Sequence, residues 1–407
     1  MRRLAASGLV VLVAIFGAQG TAFAARTAAG SARPEHYLLG VSCTSAKFCM
    51  AVGADWRNGR PLTEKWNGVK WTAADLRLPG GAAAGTLYWV WCGRPDSCIA
   101  VGNTASNRAS SATTNALAES WNGRSWSAFR MPVPAGTHNT DLGGIDCVST
   151  RNCVVTGLAV LPGSHYNSFI DVLKGGRWTL YRPPGFTDSK RNSILENVSC
   201  AAANRCVAVG SYGNTNSPGG AAPANVAAAV TWNGRKWSLD RLPTPAGSKG
   251  AWVLDVSCVR SKACVAVGGR SVGGKKSTAL AEILKAGKWK AVTPSAEGSD
   301  PSLYAVSCVS ATRCLAGGGG DFSSTINTNK SVRNKAFSSY WNGRTWKYAR
   351  LPTPPKGGGS NASVVSAISC LTATKCVAVG AAGPPASLIY GFSAFWNGRN
   401  WRLVSVS

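Results

Sequence analysis

The chain has 407 residues, 44 Lys and Arg against 17 Asp and Glu (formal net charge +27), and 45% hydrophobic residues, enough to bury a sizeable core. Its 47 glycines and 20 prolines, with no long apolar run at helical spacing, exclude a helical bundle; short Val, Trp and Leu segments between Gly, Asn and Ser read as all-β. A charge of this size favours polyanionic partners and says nothing of fold.

In chain order, residues 1–24 come first. Arg2 and Arg3 precede an apolar core that ends in Ala22-Phe23-Ala24, the pattern of a secretory signal cleaved before Ala25. That run is short and broken by glycine and Gln19, which argues against a membrane anchor, and no later segment reads as a transmembrane span. The "LPTP" stretches at 242–245 and 351–354 lack the form of a cell-wall sorting signal. Residues 25–36 read as a linker and 37–407 as the folded domain. The expectation is a secreted, extracellular monomer, held at the cell wall by charge if at all.

From residue 37 onward one pattern repeats seven times. Cysteines occur as Cys43/Cys49, Cys92/Cys98, Cys147/Cys153, Cys200/Cys206, Cys258/Cys264, Cys308/Cys314 and Cys370/Cys376, each pair with five residues between. A second marker follows each pair: "WNGVKW" (66–71), "WNGRSW" (121–126), "LKGGRW" (173–178), "WNGRKW" (232–237), "LKAGKW" (284–289), "WNGRTW" (341–346) and "WNGRNW" (396–401). Modules of roughly 54 residues therefore fill the domain and leave no room for a separate catalytic one. Each reads as four strands. In the fifth, "WVLDVSC" and "CVAVGG" flank the cysteine loop, then "ALAEILK" turns back into "KWKAVTP". The prediction is a seven-bladed β-propeller of four-stranded antiparallel blades. An open array would need capping modules, and neither end looks atypical.

The cysteines cannot be a zinc set, because the only histidines are His36, His138 and His165, none beside a cysteine pair. Seven copies of a redox catalyst would be superfluous. In an exported chain the even, local pairing predicts one intra-blade disulfide per module. No metal and no cofactor is expected.

Asn-Gly between apolar runs predicts a two-residue hairpin turn. Trp66 would then pair with Val69, Lys65 with Lys70, and Glu64 with Trp71. Trp66 and Trp71 would share a face, diagonal to each other, and pack on the neighbouring blade rather than form an exposed row for sugar stacking. Modules three and five carry Leu173 and Leu284 in place of the first tryptophan and lack Asn-Gly, so their turns should differ in shape.

The cysteine loops carry Lys47, Arg94, Arg151, Arg205, Arg260 with Lys262, Arg313 and Lys375. The hairpin markers carry Lys70, Arg124, Arg177, Arg235 with Lys236, Lys288, Arg344 and Arg399. In an up-and-down blade both connections fall on one rim, and the long variable loops, such as 103–116 and 321–337, fall on the other. Charge that serves only solubility would be mixed in sign, yet among the cysteine loops only Asp96 breaks the pattern. An anionic polymer or glycan is the expected partner: teichoic acid, acidic polysaccharide or extracellular nucleic acid.

With "SWNGRSW" and its counterparts in view, the chain resembles secreted bacterial β-propeller repeat proteins of the kelch and Asp-box kind. Its marker has asparagine where the Asp-box has an acid, and is one residue shorter. The resemblance admits an exported sialidase, but the arginine triad, tyrosine–glutamate pair and separate acid of those enzymes cannot be placed here. Paired carboxylates for glycoside hydrolysis remain open. Glu64, Glu119, Asp171 and Glu282, however, share one repeat position, which suggests cross-strand partners rather than catalysts. "GRSVGGKK" (269–276) approaches a phosphate loop but has Lys276 where Ser or Thr is needed. The reading is a non-catalytic binding or scaffold propeller. The alternatives are a sialidase-like hydrolase or lyase with its site in the long loops, and a protein-interaction platform built on the same loops.

Overall fold

The computed structural model describes residues 36–407 except 56, 109–111, 138, 162–164, 187–191, 214–224, 261, 274–275, 297, 299, 321–334, 353, 355–361 and 384–389. The expected signal and nearly all of the linker, His138 and most of the 321–337 loop lie outside the described residues, as does part of 103–116. Among the described residues no helix is long and apolar enough to cross a membrane.

Four strands built from one uninterrupted stretch of chain form each sheet. In blade 1, β1 (His36–Ser45), β2 (Phe48–Asp55), β3 (Arg60–Trp66) and β4 (Trp71–Asp75) pair in sequence order, each antiparallel to the next. The same order recurs in blades 2 (84–129), 3 (139–181), 4 (192–241), 5 (250–292), 6 (302–350) and 7 (362–404). The first strand of every blade packs on the first strands of both neighbours and lines the axis; β1 packs on the first three strands of blade 7, which closes the ring. The chain is a seven-bladed, all-β propeller.

Each predicted cysteine pair is bonded, with S–S distances of 2.03–2.09 Å. Cys43 lies directly opposite Cys49, Cys92 opposite Cys98, Cys147 opposite Cys153 and Cys200 opposite Cys206. Cys258 likewise faces Cys264, Cys308 faces Cys314 and Cys370 faces Cys376. A cross-strand pair in this position joins the two strands across their own hairpin, so each blade carries its own clip. The two halves of a clip differ in environment. Cys49, Cys98, Cys153, Cys206, Cys264, Cys314 and Cys376, on the second strand, are at most 3% exposed and pack in the hydrophobic clusters between sheets.

The register of the marker hairpin differs from the two-residue expectation. Trp66 pairs with Trp71, Lys65 with Thr72 and Glu64 with Ala73, leaving Asn67–Lys70 as a four-residue connection. Asn67 Oδ1 accepts the backbone amides of Val69 and Lys70, both at 2.9 Å, and of the four residues only Gly68 has positive φ (97°). The asparagine side chain thus builds a wider turn in place of taking a left-handed conformation itself. The two tryptophans remain on one face, now as a direct cross-strand pair with ring centroids 5.6 Å apart.

The tight turn occurs in the two blades that lack Asn-Gly. Lys174 pairs with Arg177 around Gly175 (φ 62°) and Gly176 (φ 95°), and Lys285 pairs with Lys288 around Ala286 (φ 51°) and Gly287 (φ 80°). A left-handed alanine costs roughly 1–2 kcal/mol, while glycine loses about 0.5–1 kcal/mol more entropy on ordering. Ala286→Gly should therefore raise unfolding stability by about 0.5–1 kcal/mol, measured as a higher denaturant midpoint with unchanged slope.

As expected, the tryptophans fill the joints between blades. Trp71 Nε1 donates to Ser393 Oγ of blade 7 at 3.0 Å, and Trp401 Nε1 donates to Ser338 Oγ of blade 6 at 2.8 Å. Trp66 and Trp71 pack with Leu38, Val41 and Leu62 against Ala367, Val377 and Val379 across the seam.

Candidate binding face

The cysteine loop and the marker turn of a blade pack on each other. The indoles of Trp66, Trp121, Trp341 and Trp396 donate to the cysteine-loop carbonyls of Ala46, Pro95, Ala311 and Ala373 at 3.1–3.2 Å. In blades 3 and 4 the cysteine-loop arginine ties the two turns instead. Arg151 Nη2 reaches the Gly175 carbonyl and Arg205 Nη1 the Asn233 carbonyl, each at 3.2 Å. Both sets of turns therefore lie at the same end of each blade.

All the repeat-position cations are exposed: Lys47, Arg94, Arg151, Arg205, Arg260, Lys262, Arg313 and Lys375 in one set; Lys70, Arg124, Arg177, Arg235, Lys236, Lys288, Arg344 and Arg399 in the other. They are spread around the ring and converge on no single pocket. Among the described residues one ion pair involves them, Arg94 Nε with Asp96 Oδ1 at 3.3 Å.

The cysteines, singled out in the sequence beside these cations, do not join them on the face. Cys49, Cys98, Cys153, Cys206, Cys264, Cys314 and Cys376 are buried, and each is oxidised to its partner. A disulfide offers no thiolate, and these bonds fix the loops that carry the cations.

The acids are elsewhere. Of the described Asp and Glu, only Asp75 and Asp96 are exposed. Glu64, Glu119, Asp171 and Glu282 are buried, and their cross-strand neighbours are not cations. Glu64 lies between Ala51 and Ala73, Glu119 between Ala100 and Ala128, Asp171 between Val155 and Leu180, and Glu282 between Ala266 and Ala291. The expected cross-strand role is thus corrected. These carboxyls share a face with the marker residues and point at the preceding blade. Burial lifts Glu119 and Asp171 to about 7 and Glu282 to about 8. Burial likewise lifts Glu64 to about 7, opposed by the amide and hydroxyl that Ser407 donates to it at 3.0 and 2.9 Å. His36, 3.5 Å from Glu64, is pushed by burial to about 4 and stays neutral.

Two more buried acids line the inner strands. Glu196 is raised to about 8 by burial. Asp255 is raised to about 7, again chiefly by burial, although the amides of Val256 and Val306 and the Asn197 side chain all donate to it. Burial thus disfavours the ionised form of each of these carboxyls. What negative charge the molecule keeps is largely withheld from the cation-bearing face.

Sequence reasoning missed two inner-strand features. The first is a bulge: besides the residue after the first cysteine, a second first-strand residue has no pairing partner in six of the blades, and it is Leu39, Tyr88, Glu196, Leu254, Tyr304 and Ser366. Leu39, Tyr88, Leu254 and Tyr304 come from different blades yet form one buried cluster with Tyr37 and Val364. The bulge thus turns a side chain onto the axis and plugs it. The second is a latch. The residue before the first cysteine accepts the backbone amide of the next blade's first cysteine: Ser42 from Cys92, Ser199 from Cys258, Ser257 from Cys308, Ser307 from Cys370 and Ser369 from Cys43, all at 3.0 Å, and Asp146 from Cys200 at 2.7 Å. The recurring "SC" was the visible signal. Trp91 breaks it, and Cys147 bonds its own neighbour Asp146 at 2.8 Å.

The near-phosphate stretch joins two strands of blade 5, with Gly273 opposite Lys276, and its described residues include no helix to receive an anion. Among the described residues no three His, Cys, Asp or Glu are grouped to hold a metal.

No protein-family model matches the sequence, and no curated protein matches it either. Solved structures share the architecture. The BP39L lectin from Burkholderia pseudomallei has a TM-score of 0.55 at 13% identity, over 92% of this chain and 100% of that one. The GH74 xyloglucanase from Xanthomonas campestris has a TM-score of 0.52 at 14% identity, over 91% of this chain and 54% of that one. A puromycin-hydrolyzing peptidase from Mycobacterium tuberculosis has a TM-score of 0.51 at 9% identity, over 97% and 54%. The chain spans about half the length of the last two. At such identities the likeness is one of fold, shared by binding proteins and enzymes alike.

Proposed function

We propose that this protein is an exported propeller that binds anionic polymers, acidic glycans foremost, through the face carrying its cysteine loops and marker turns. The carrying observation is the separation of charge: every repeat-position cation is exposed at one end of the blades, while most described acids are buried. That two solved structures of this shape are a lectin and a xyloglucanase supports carbohydrate as the polymer class. The repeat-position acids Glu64, Glu119, Asp171 and Glu282 are buried between blades rather than presented on this face, which favours binding over catalysis there.

A salt series tests this. The oxidised protein should bind long polygalacturonate tightly at low ionic strength, with affinity falling linearly in log–log form as counterions are released. Lys47→Glu with Lys70→Glu in one blade should weaken binding and flatten the slope. No binding at low salt would refute the proposal.

A further inference from the structure

We propose that the cysteine loop of blade 2 holds one specific subsite on this face, which stacks a single sugar ring of an acidic glycan on Trp91. It rests on the anionic-polymer reading above and deepens it. Six joints of the ring carry Ser or Asp at this position, latched to the next blade. Only blade 2 has a tryptophan, and its indole is partly exposed while packing on the core between blades 2 and 3. The six-membered ring of the indole lies over the backbone of Gly93, where a Cβ would come within 2.5 Å of Cη2. The other modules have Thr44, Val148, Ala201, Val259, Val309 and Leu371 there, so glycine in blade 2 alone makes room for the ring.

The surroundings suit a charged sugar. Val148, 42% exposed, comes from the next blade's cysteine loop, and the loops of the two blades supply the exposed Arg94 and Arg151. Asp96, paired to Arg94, is the one acid among the cysteine loops. Its carboxylate accepts hydrogen bonds from sugar hydroxyls. At this repeat position Trp91 is the one aromatic side chain, whereas single-stranded nucleic acid is gripped by successive ones. Apolar contact on Trp91, arginines for a carboxylate and an acceptor for hydroxyls together describe a uronic acid residue.

The test uses Trp91→Ser, which installs the residue that five other blades carry, and Gly93→Val, which displaces the indole. The probes are a short oligogalacturonate, long polygalacturonate and a thymidine oligonucleotide of matched charge. The short oligomer should perturb tryptophan fluorescence of the parent protein, and either variant should bind it about tenfold more weakly. The salt-dependent binding of the long polymer should keep its slope in both. Parent-like affinity for the short oligomer in Trp91→Ser and Gly93→Val overturns the subsite while leaving the charged face standing. Equal loss of the oligonucleotide also overturns it, since the platform would then read bases. Failure of the parent to bind the long polymer defeats the broader reading instead.

Discussion

Raising the pH from about 5 to about 9 should lower the unfolding free energy by several kcal/mol, because each unit of pKa shift is worth about 1.4 kcal/mol. The sign follows from which state holds the protons. Glu64, Glu119, Asp171, Glu196, Asp255 and Glu282 are all raised by burial, to about 7 or 8. Between their ordinary carboxylate range and those values the folded chain binds more protons than the unfolded one. The stability they allow is fully present at acidic pH and is lost as pH rises through 7 and 8. His36 works from the other side. Its folded value of about 4 lies below the ordinary 6.5, so stability declines as pH falls through that window. The optimum should therefore be mildly acidic. Denaturant midpoints across pH check this, and Glu282→Gln should flatten the alkaline limb. A flat profile from pH 5 to 9 would show these carboxyls to be solvated or ionised at little cost.

Reduction should have a still larger effect. Each disulfide closes a seven-residue loop, worth about 2.4 kcal/mol in chain entropy. Removing one clip, as in Cys258→Ala with Cys264→Ala, should cost about 2 kcal/mol. Full reduction removes all seven, and even with heavy discounting for non-additivity their sum rivals the 5–15 kcal/mol that holds a typical domain folded. Reduced protein should unfold at far lower denaturant than oxidised protein, or fail to refold. Equal midpoints would mean that the blades are held by packing alone.

Much of this fold was legible because its markers are local. Cys258 and Cys264 sit either side of one hairpin, and a tryptophan closes each turn, so counting residues fixed blade number, strand order and clip. What escaped depends on neighbours. Asn67 looks like a turn residue in sequence, but its side chain can either take the left-handed position or bond two amides ahead of it, and the second geometry prevails. Glu282 looks like a cross-strand partner until the next sheet is in place, since which face a strand turns to a neighbouring blade is set by the whole ring. The axial plug needed the bulges, which leave no signature in composition. Of the candidate face, the cations could be read in full; the singular Trp91 could be seen as an exception to "SC" only once the hydrogen bond that "SC" makes was known.

Because every blade is one unbroken stretch of chain, no strand is lent from one end of the molecule to complete a sheet at the other. The joint between blades 7 and 1 repeats the latch, with Ser369 bound by the Cys43 amide and Trp71 bound to Ser393, and adds the two bonds that Ser407 donates to Glu64. A circular permutant opened in the 76–83 connection would require the same joints from the same side chains, and the order in which blades leave the ribosome is left free by the architecture.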